Sequence, residues 1–300
     1  MSTPYTRTTV GILGSPIDAL SWDDALDQIN DWAQRRESRY VCACNVHSLV
    51  TASLDPAFRE IITSADMAIP DGMPVAWSLR KLGFPQQQRI NGPDLMWRLC
   101  ENAAASGQEL FFYGSSSQTL TQLRGKLSSL MPTLKIAGMN SPPYRPPTEA
   151  EDRAIIECIE ASGAAIVFIS LGCPKQERWM AQHRGKIDAV MIGVGAAFEY
   201  HAGSLKRAPA WMQERGLEWL YRLMKEPTRL WHRYLITNTI FLFRICRQLL
   251  QHRKRTISVQ ATGVPTSLTS SAAAGPFTSS ADGHQSDGFG AAREPEEQSR

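Results

Sequence analysis

The chain has 300 residues, 43% hydrophobic and 20% charged, a length that allows one large α/β domain or two smaller ones with a substantial core. The formal net charge of +3 is too small to indicate a polyanionic partner by itself. The six cysteines form no CxxC pair or Cys/His cluster, which argues against a zinc site and a secreted disulfide framework.

Residues 1–201 alternate short apolar runs with helical patterns, which is typical of an α/β layer. The runs of Val, Ile and Phe are nearly continuous, as in strands that are covered on both faces. We therefore predict a Rossmann-like, mostly parallel sheet with helices on both faces. The predicted strands, in chain order, are TTVGIL, RYVCACN, MAIP, ELFFYG, LKIAGM, AIVFISLG and AVMIGVG.

Helix-start signals lie between several of these strands. SWDDALDQINDWAQRR begins with a serine that can cap a helix and with aspartates that suit its first turn. TEAEDRAIIECIEAS carries Thr148 and, three residues later, Glu151, which is the capping-box pattern. A further helix, SQTLTQLRGKLSSL, is predicted after the fourth strand.

Residues 202–255 are predicted to form a basic, aromatic and helical appendage. From Ser204 to Arg255, twelve Lys and Arg stand against three Glu. The apolar run YLITNTIFLFRICRQLL is interrupted by Arg244 and Arg247, so we expect no membrane-spanning helix, and the N-terminus shows no signal-peptide pattern. This pattern favours a helix lying in a membrane interface. A nucleic-acid face, a solvated helix surface and a dimer interface are the alternatives.

The last segment, residues 256–300, differs in composition from the rest. Ser, Ala, Gly and Pro dominate it, and five acidic residues stand against Arg293 and Arg300. Such a segment can bury little apolar surface, so we predict that it is a disordered tail.

Polar residues follow four of the predicted strands, at the edge where open α/β sheets bind ligands. Each alone has an ordinary explanation, because Asp-Gly pairs form turns and Gly-Ser loops cap helices. GVGAAF lacks the third glycine of a dinucleotide fingerprint, and no Walker A, GxSxG or HExxH motif is present. The residues at the four strand ends are Asn45 with His47, Asp71, the turn at Ser115, and Lys175 with Gln176 and Glu177.

Together with the basic segment, these motifs resemble one family. The ordered set NVHSL, ADMAIPDGMPV, RINGPDL, GSSS, SLGCPKQERWM and IGVGAAFEYHAGSLKRAPAWMQERGLEWLYRLMKEPTRLWHRYL resembles the WecG/TagA/CpsF family, glycosyltransferase family 26. The resemblance runs from about Val10 to about Leu250 and is densest in the last third.

The resemblance implies an inverting glycosyltransferase that needs neither a metal ion nor another cofactor. Such an enzyme moves a hexose or N-acetylhexosamine from a UDP-sugar to a polyprenyl-diphosphate-linked sugar, usually forming a β-1,4 linkage in a cell-surface polysaccharide. N-acetylmannosamine, its uronic acid and glucose are among the donor sugars of the family. The alternative is a non-catalytic scaffold that binds a nucleotide sugar within a polysaccharide assembly complex.

The resemblance also implies a location and partners. It places the protein on the cytoplasmic face of the bacterial inner membrane, with the appendage on the anionic membrane surface and completing the active site there. A nucleic-acid partner is not expected. A homo-oligomer away from the membrane is compatible with the resemblance.

Three residues match the reacting centre of the family. Asp71 in PDG matches the proposed catalytic base, and a carboxylate at the mouth of a pocket suits removal of a hydroxyl proton. Asn45 and Gln176 match polar residues near the reacting sugars. The chain has no Asp-x-Asp pair, so the charge of the leaving diphosphate is expected to meet Arg, Lys and backbone N–H groups.

Further residues are substrate-binding candidates by the same resemblance. Cys44 stands where many members have threonine, and Tyr144 falls where uracil is expected to stack. Among the basic residues, Arg222 and Arg229 are favoured as diphosphate ligands. The complete set is Cys44, Tyr144, Lys175, Glu177, Arg207, Arg222, Arg229 and Arg233.

Overall fold

The computed structural model describes residues 7–261, and within this range the chain forms eight strands and twelve helices. The described residues up to Arg255 belong to one compact unit, and the division expected at residue 201 stays a prediction. The tail predicted for residues 256–300 lies outside the described residues, apart from the last helix, which continues to Ala261.

Six strands form a single parallel sheet in the order β4-β3-β8-β7-β5-β6, which confirms the predicted Rossmann-like arrangement. Every neighbouring pair of these strands is parallel. Their carboxyl ends therefore meet at one edge of the sheet. The strands are β3 (Arg39–Cys44), β4 (Met67–Pro70), β5 (Glu109–Gly114), β6 (Lys135–Asn140), β7 (Ile166–Ser170) and β8 (Val190–Gly193).

The first predicted strand lies outside this sheet. β1 (Thr9–Ile12) pairs with β2 (Ser15–Asp18) as an antiparallel hairpin. Leu13 and Gly14 form its two-residue turn with φ angles of 51° and 88°. Positive φ at both turn positions matches the twist of paired strands, so the chain reverses at once. Sequence reasoning missed β2, because the Ser-Pro pair at its start is typical of a loop.

Helices cover both faces of the sheet, as predicted. Along β3, Tyr40 and Cys42 pack in one core cluster, while Val41 and Ala43 pack in the other. The predicted caps are present, since Ser21 and Thr148 each form a capping box. The helices are α1 (Trp22–Gln34), α2 (Val46–Leu54), α3 (Pro56–Thr63), α4 (Met73–Lys81), α5 (Gly92–Ser106), α6 (Ser117–Leu130), α7 (Glu149–Ala161), α8 (Lys175–His183), α9 (Ala197–Ala202), α10 (Ala210–Glu214), α11 (Glu218–Lys225) and α12 (Pro227–Ala261).

The long helix α12 packs on the core through one of its faces. Phe241 and Ile245, one turn apart, are each 5% exposed and belong to the core cluster that contains Tyr40. Gln248, on the same face, donates to the Gly11 carbonyl at 2.6 Å and accepts from the Leu13 backbone N–H at 3.1 Å. Among the described residues, no helix is both long and apolar enough to span a membrane.

We expect Phe241→Ala to lower the free energy of unfolding by about 3 kcal/mol, because it leaves a cavity between α12 and the core. Phe243→Ala is the matched control, since that ring is 72% exposed, and it should change stability by less than about 0.5 kcal/mol. Urea unfolding of both variants measures the difference. Equal losses would contradict the described packing of α12.

Candidate functional site

Several of the predicted site residues meet at the carboxyl edge of the sheet. Asn45 follows β3 and Asp71 follows the neighbouring β4. Gln176 lies in the first turn of α8, beyond the end of β7, and contacts Gly195 beyond the end of β8. These residues therefore line one continuous side of the molecule, although they are far apart in the sequence.

The Asp71 carboxyl group is held by two hydrogen bonds. Asn45 caps α2, and its Oδ1 accepts from the backbone N–H groups of His47 and Ser48 at 3.0 and 3.3 Å. The cap leaves the Asn45 Nδ2 free to donate to Asp71 Oδ2 at 3.2 Å. Asp71 Oδ1 accepts from the Gly92 backbone N–H, also at 3.2 Å. The carboxyl group is thus fixed in one orientation.

The surroundings of Asp71 make it a stronger base than an exposed aspartate. Burial raises its pKa, while the charge of Arg89 and the Asn45 and Gly92 hydrogen bonds oppose this shift and the charge of Glu218 adds to it. The net pKa is raised from the ordinary value. A carboxylate whose ionised form is disfavoured takes up a proton more readily, which is the property a general base needs.

Arg89 and Glu218 were not predicted from the sequence. Arg89 Nε donates to the Asp71 carbonyl at 2.5 Å, and its second guanidinium arm pairs with Glu218 Oε2 at 2.7 Å. Arg89 lies in RINGPDL, a motif of the resemblance, which is the signal that could have found it. Glu218 gave no signal, because a glutamate within a basic helical segment reads as a solvated side chain.

Gln176 and Glu177 form a buried pair at the start of α8. Gln176 is 3% exposed, and its Oε1 accepts from the Gly195 backbone N–H at 3.2 Å. Its Nε2 donates to Glu177 Oε1 at 2.9 Å. Glu177 Oε2 is buried without a hydrogen-bond partner among the described residues, and burial raises the pKa of this carboxyl group. Glu177 therefore orients the Gln176 amide, while the adjacent Lys175 is exposed.

His47 is neutral at physiological pH in this environment. Burial and the charge of Arg233 lower its pKa to about 4, although a hydrogen bond to the Cys173 backbone opposes the shift. Arg233 on α12 therefore lies close to His47 and Cys173. The amino-terminal part of α12 reaches the α2 and α8 side of the sheet edge.

The appendage arginines differ in their burial and in their hydrogen-bond and ion-pair partners. Arg207 forms a two-armed ion pair with Asp94, and one arm also donates to Asn91 Oδ1 at 3.1 Å. Arg222 is half-buried on α11 near Tyr200, and its Nε is buried without a hydrogen-bond partner among residues 7–261. Arg229 lies on α12, and its side chain is outside what the structure describes.

Cys44 and Tyr144 occupy opposite extremes of exposure. Cys44, the last residue of β3, is fully buried in the core, and its carbonyl accepts from the Asp71 backbone N–H at 2.9 Å. The structure thus gives Cys44 a backbone contact with the Asp71 turn. Tyr144 lies between β6 and α7 and is 96% exposed, so its ring is open to a ligand.

The Gly-Ser turn after β5 is contacted by the carboxylate of Glu199 on α9, which sequence reasoning missed. Ser115 adopts a left-handed backbone with φ of 58°, and its Oγ donates to Glu199 Oε1 at 2.7 Å. Glu199 Oε2 is buried without a hydrogen-bond partner in the described part of the chain. The hydroxyl of Ser115 is therefore already engaged, and the spare acceptor at this turn belongs to Glu199. No group of three or more metal-ligating side chains occurs among residues 7–261.

Comparison with protein-family models identifies the family to which these motifs belong. The model described as the glycosyl transferase WecG/TagA/CpsF family matches residues 10–255. This range includes Asp71, Asn45 and Gln176 together with the whole parallel sheet and the appendage up to Arg255.

Gly92 provides a stability test of the contact that positions Asp71. A Cβ at Gly92 would lie 2.9 Å from the Val194 carbonyl oxygen, so Gly92→Ala should push α5 away and lower stability by about 1–3 kcal/mol. Gly125→Ala is the control, because nothing lies within 4 Å of its added Cβ and a helical alanine should stabilise by up to about 1 kcal/mol. Urea unfolding distinguishes them, and the same sign for both variants would contradict this packing.

Proposed function

The chain belongs to the WecG/TagA/CpsF family of glycosyl transferases, and from that premise we propose that it is an inverting, UDP-sugar-dependent enzyme. A glycosyltransferase role in cell-surface polysaccharide synthesis follows from the family. The proposed donor is a UDP-hexose or UDP-N-acetylhexosamine, and the proposed acceptor is a polyprenyl-diphosphate-linked sugar. The product would carry a β-1,4 linkage.

The observation that carries this proposal is the half-buried Asp71 carboxyl group, fixed by Asn45 and Gly92 at the carboxyl edge of the sheet. In the proposed reaction, Asp71 removes the proton from the acceptor hydroxyl as its oxygen attacks the anomeric carbon. The bond from that carbon to the UDP oxygen breaks on the opposite face, and its electron pair leaves with the diphosphate. Inversion at the anomeric carbon follows from this in-line geometry.

The leaving diphosphate gains negative charge, and we assign the stabilisation of that charge to the appendage arginines. Arg222 is favoured, because it is half-buried and its Nε lacks a hydrogen-bond partner among the described residues. Arg229 and Arg233 are further candidates on α12, whereas Arg207 is already paired with Asp94. Cations that stabilise the developing charge would make a divalent metal unnecessary.

The remaining candidates are assigned by position. Gln176, oriented by Glu177, would donate to or accept from a sugar hydroxyl, as would Asn45. Tyr144 would stack on uracil through its exposed ring. Lys175 is exposed beside Gln176 and would add a positive charge near the substrate.

The apolar face of α12 supports a peripheral membrane location. Several large side chains on α12 point away from the core, while Leu230, Phe241 and Ile245 are buried. Exposed apolar side chains beside arginines are typical of a helix lying in a membrane interface. The exposed set is Trp231 54%, Leu235 62%, Ile236 41%, Leu242 63%, Phe243 72% and Leu250 61%.

Asp71→Asn should lower acceptor-dependent UDP release by about 100-fold or more, because the asparagine amide cannot take up the hydroxyl proton. The assay combines a panel of UDP-sugars, a short-chain polyprenyl-diphosphate-GlcNAc or -glucose acceptor, and EDTA. Release with one donor that survives EDTA would identify that donor and support metal independence.

Asp188→Asn is the matched control for this variant, because Asp188 is exposed two residues before β8, at the opposite edge of the sheet. It should retain wild-type release. If wild type binds UDP but releases none from any donor, the catalytic proposal fails and the scaffold alternative replaces it. Steeply salt-dependent binding to RNA or DNA that UDP does not affect would instead favour the nucleic-acid alternative.

The double variant Leu242→Ser/Phe243→Ser should weaken binding to vesicles containing anionic lipid by about tenfold or more, because both side chains lose apolar contact area. Leu130→Ser is the control, since Leu130 on α6 is similarly exposed at 57%. Co-sedimentation with vesicles measures the change. Unchanged binding of the double variant would exclude this face as the membrane surface.

A further inference from the structure

The appendage is tied to the Asp71 turn through an ion pair. Arg89 donates from Nε to the Asp71 carbonyl at 2.5 Å and from its second arm to Glu218 Oε2 at 2.7 Å. The side chains of Arg89 and Glu218 are only 15% and 17% exposed. Because water is largely excluded from the pair, its loss should have more effect than the loss of a surface salt bridge.

A second contact joins the same two regions. Gly216, in the turn between α10 and α11, has a positive φ of 70°. A Cβ at Gly216 would lie 2.8 Å from the Trp77 ring and 3.1 Å from the Met73 Cβ. Met73 and Trp77 belong to α4, which begins two residues after Asp71. The turn before Glu218 is therefore seated on the helix that follows the proposed base.

We propose that Glu218 is a positioning residue, which holds Arg89 against the Asp71 turn so that seating of α11 on the core sets the position and reactivity of the base. This inference rests on the proposed role of Asp71. Glu218 is not assigned a contact with the Asp71 carboxyl group or with the acceptor hydroxyl. It acts through Arg89. A membrane-binding segment would in this way control a proton transfer in the α/β core.

The charges around Asp71 give this role a measurable signature. The charged groups that shift its pKa are Arg89, which lowers it, and Glu218, which raises it. The buried thiol of Cys44 also lies close; burial raises the pKa of that thiol, and the charge of Asp71 raises it further. The base must be ionised, so activity rises with pH through the pKa of Asp71. Removing the Glu218 charge lowers that pKa and should move the acid limb of the rate profile to lower pH. Removing the Arg89 charge should move it to higher pH.

The test compares pH profiles of kcat/KM for wild type, Glu218→Gln and Arg89→Gln. We expect the acid limb to shift down by about half a pH unit in Glu218→Gln and up by at least as much in Arg89→Gln. We also expect kcat of Glu218→Gln to fall by about tenfold with KM for the donor nearly unchanged, because the base is misplaced while the donor contacts remain.

Glu214→Gln is the matched control, because Glu214 makes the same charge change from an exposed position on α10. It should leave both the profile and kcat unchanged. A fall in Glu218→Gln activity without a shift of the acid limb would mean that Glu218 only anchors α11, and the proposal would be wrong. The same shift in Glu214→Gln would also overturn it.

Hydrogen exchange separates this inference from the proposed function. In Glu218→Gln, but not in Glu214→Gln, we expect at least about threefold faster exchange in peptides that cover Asp71 and Arg89. If wild type shows no acceptor-dependent UDP release, the proposed function fails, and exchange then decides whether the contact exists. Equal exchange in the two variants would overturn the positioning role regardless of activity.

Discussion

The parallel pairing of β3 with β4 is the constraint on which the candidate site depends. It places the residues that follow the two strands side by side, so that Asn45 donates to Asp71 across the sheet edge at 3.2 Å. The same asparagine caps α2, which fixes its side chain before any ligand arrives. The Asp71 carboxyl group is thus oriented by a capped asparagine and by the Gly92 backbone N–H at the start of α5. A site built on strand ends holds its geometry more precisely than one built on loops alone.

Burial of the Asp71 carboxyl group opposes its ionisation, and Arg89 and the hydrogen-bond donors only partly offset that effect. A buried carboxyl group of this kind destabilises the folded protein when ionised but takes up a proton more readily, a conflict that is common at functional sites. Glu177 presents a similar conflict deeper in the molecule, because its carboxyl group is buried and engages Gln176 through only one oxygen. Both acids lie at the same edge of the sheet, where a substrate would approach.

The appendage is part of the packed molecule, and it also carries the surface that we propose contacts a membrane. Phe241 and Ile245 complete one of the two core clusters, while Leu242 and Phe243 on the same helix face outward. Glu218 on α11 reaches the Asp71 turn through Arg89, while α12 leaves an apolar face exposed. In the proposed function, these two helices couple membrane contact to the geometry of the candidate site, because one contacts the Asp71 turn and the other exposes the apolar face.

The sequence by itself determined the class of the fold, since continuous apolar strands between amphipathic helices can be buried only in a parallel, two-sided layer. It also made Asp71, Asn45 and Gln176 candidates, because each follows a predicted strand and lies in a motif of the resemblance. It could not determine that β8 lies between β3 and β7, nor that β1 turns back on β2, because strand order depends on long-range packing. The Arg89–Glu218 pair joins residues 129 positions apart. Only the tertiary structure could bring them together, because ion pairs depend on distance in space and leave no local pattern in the chain.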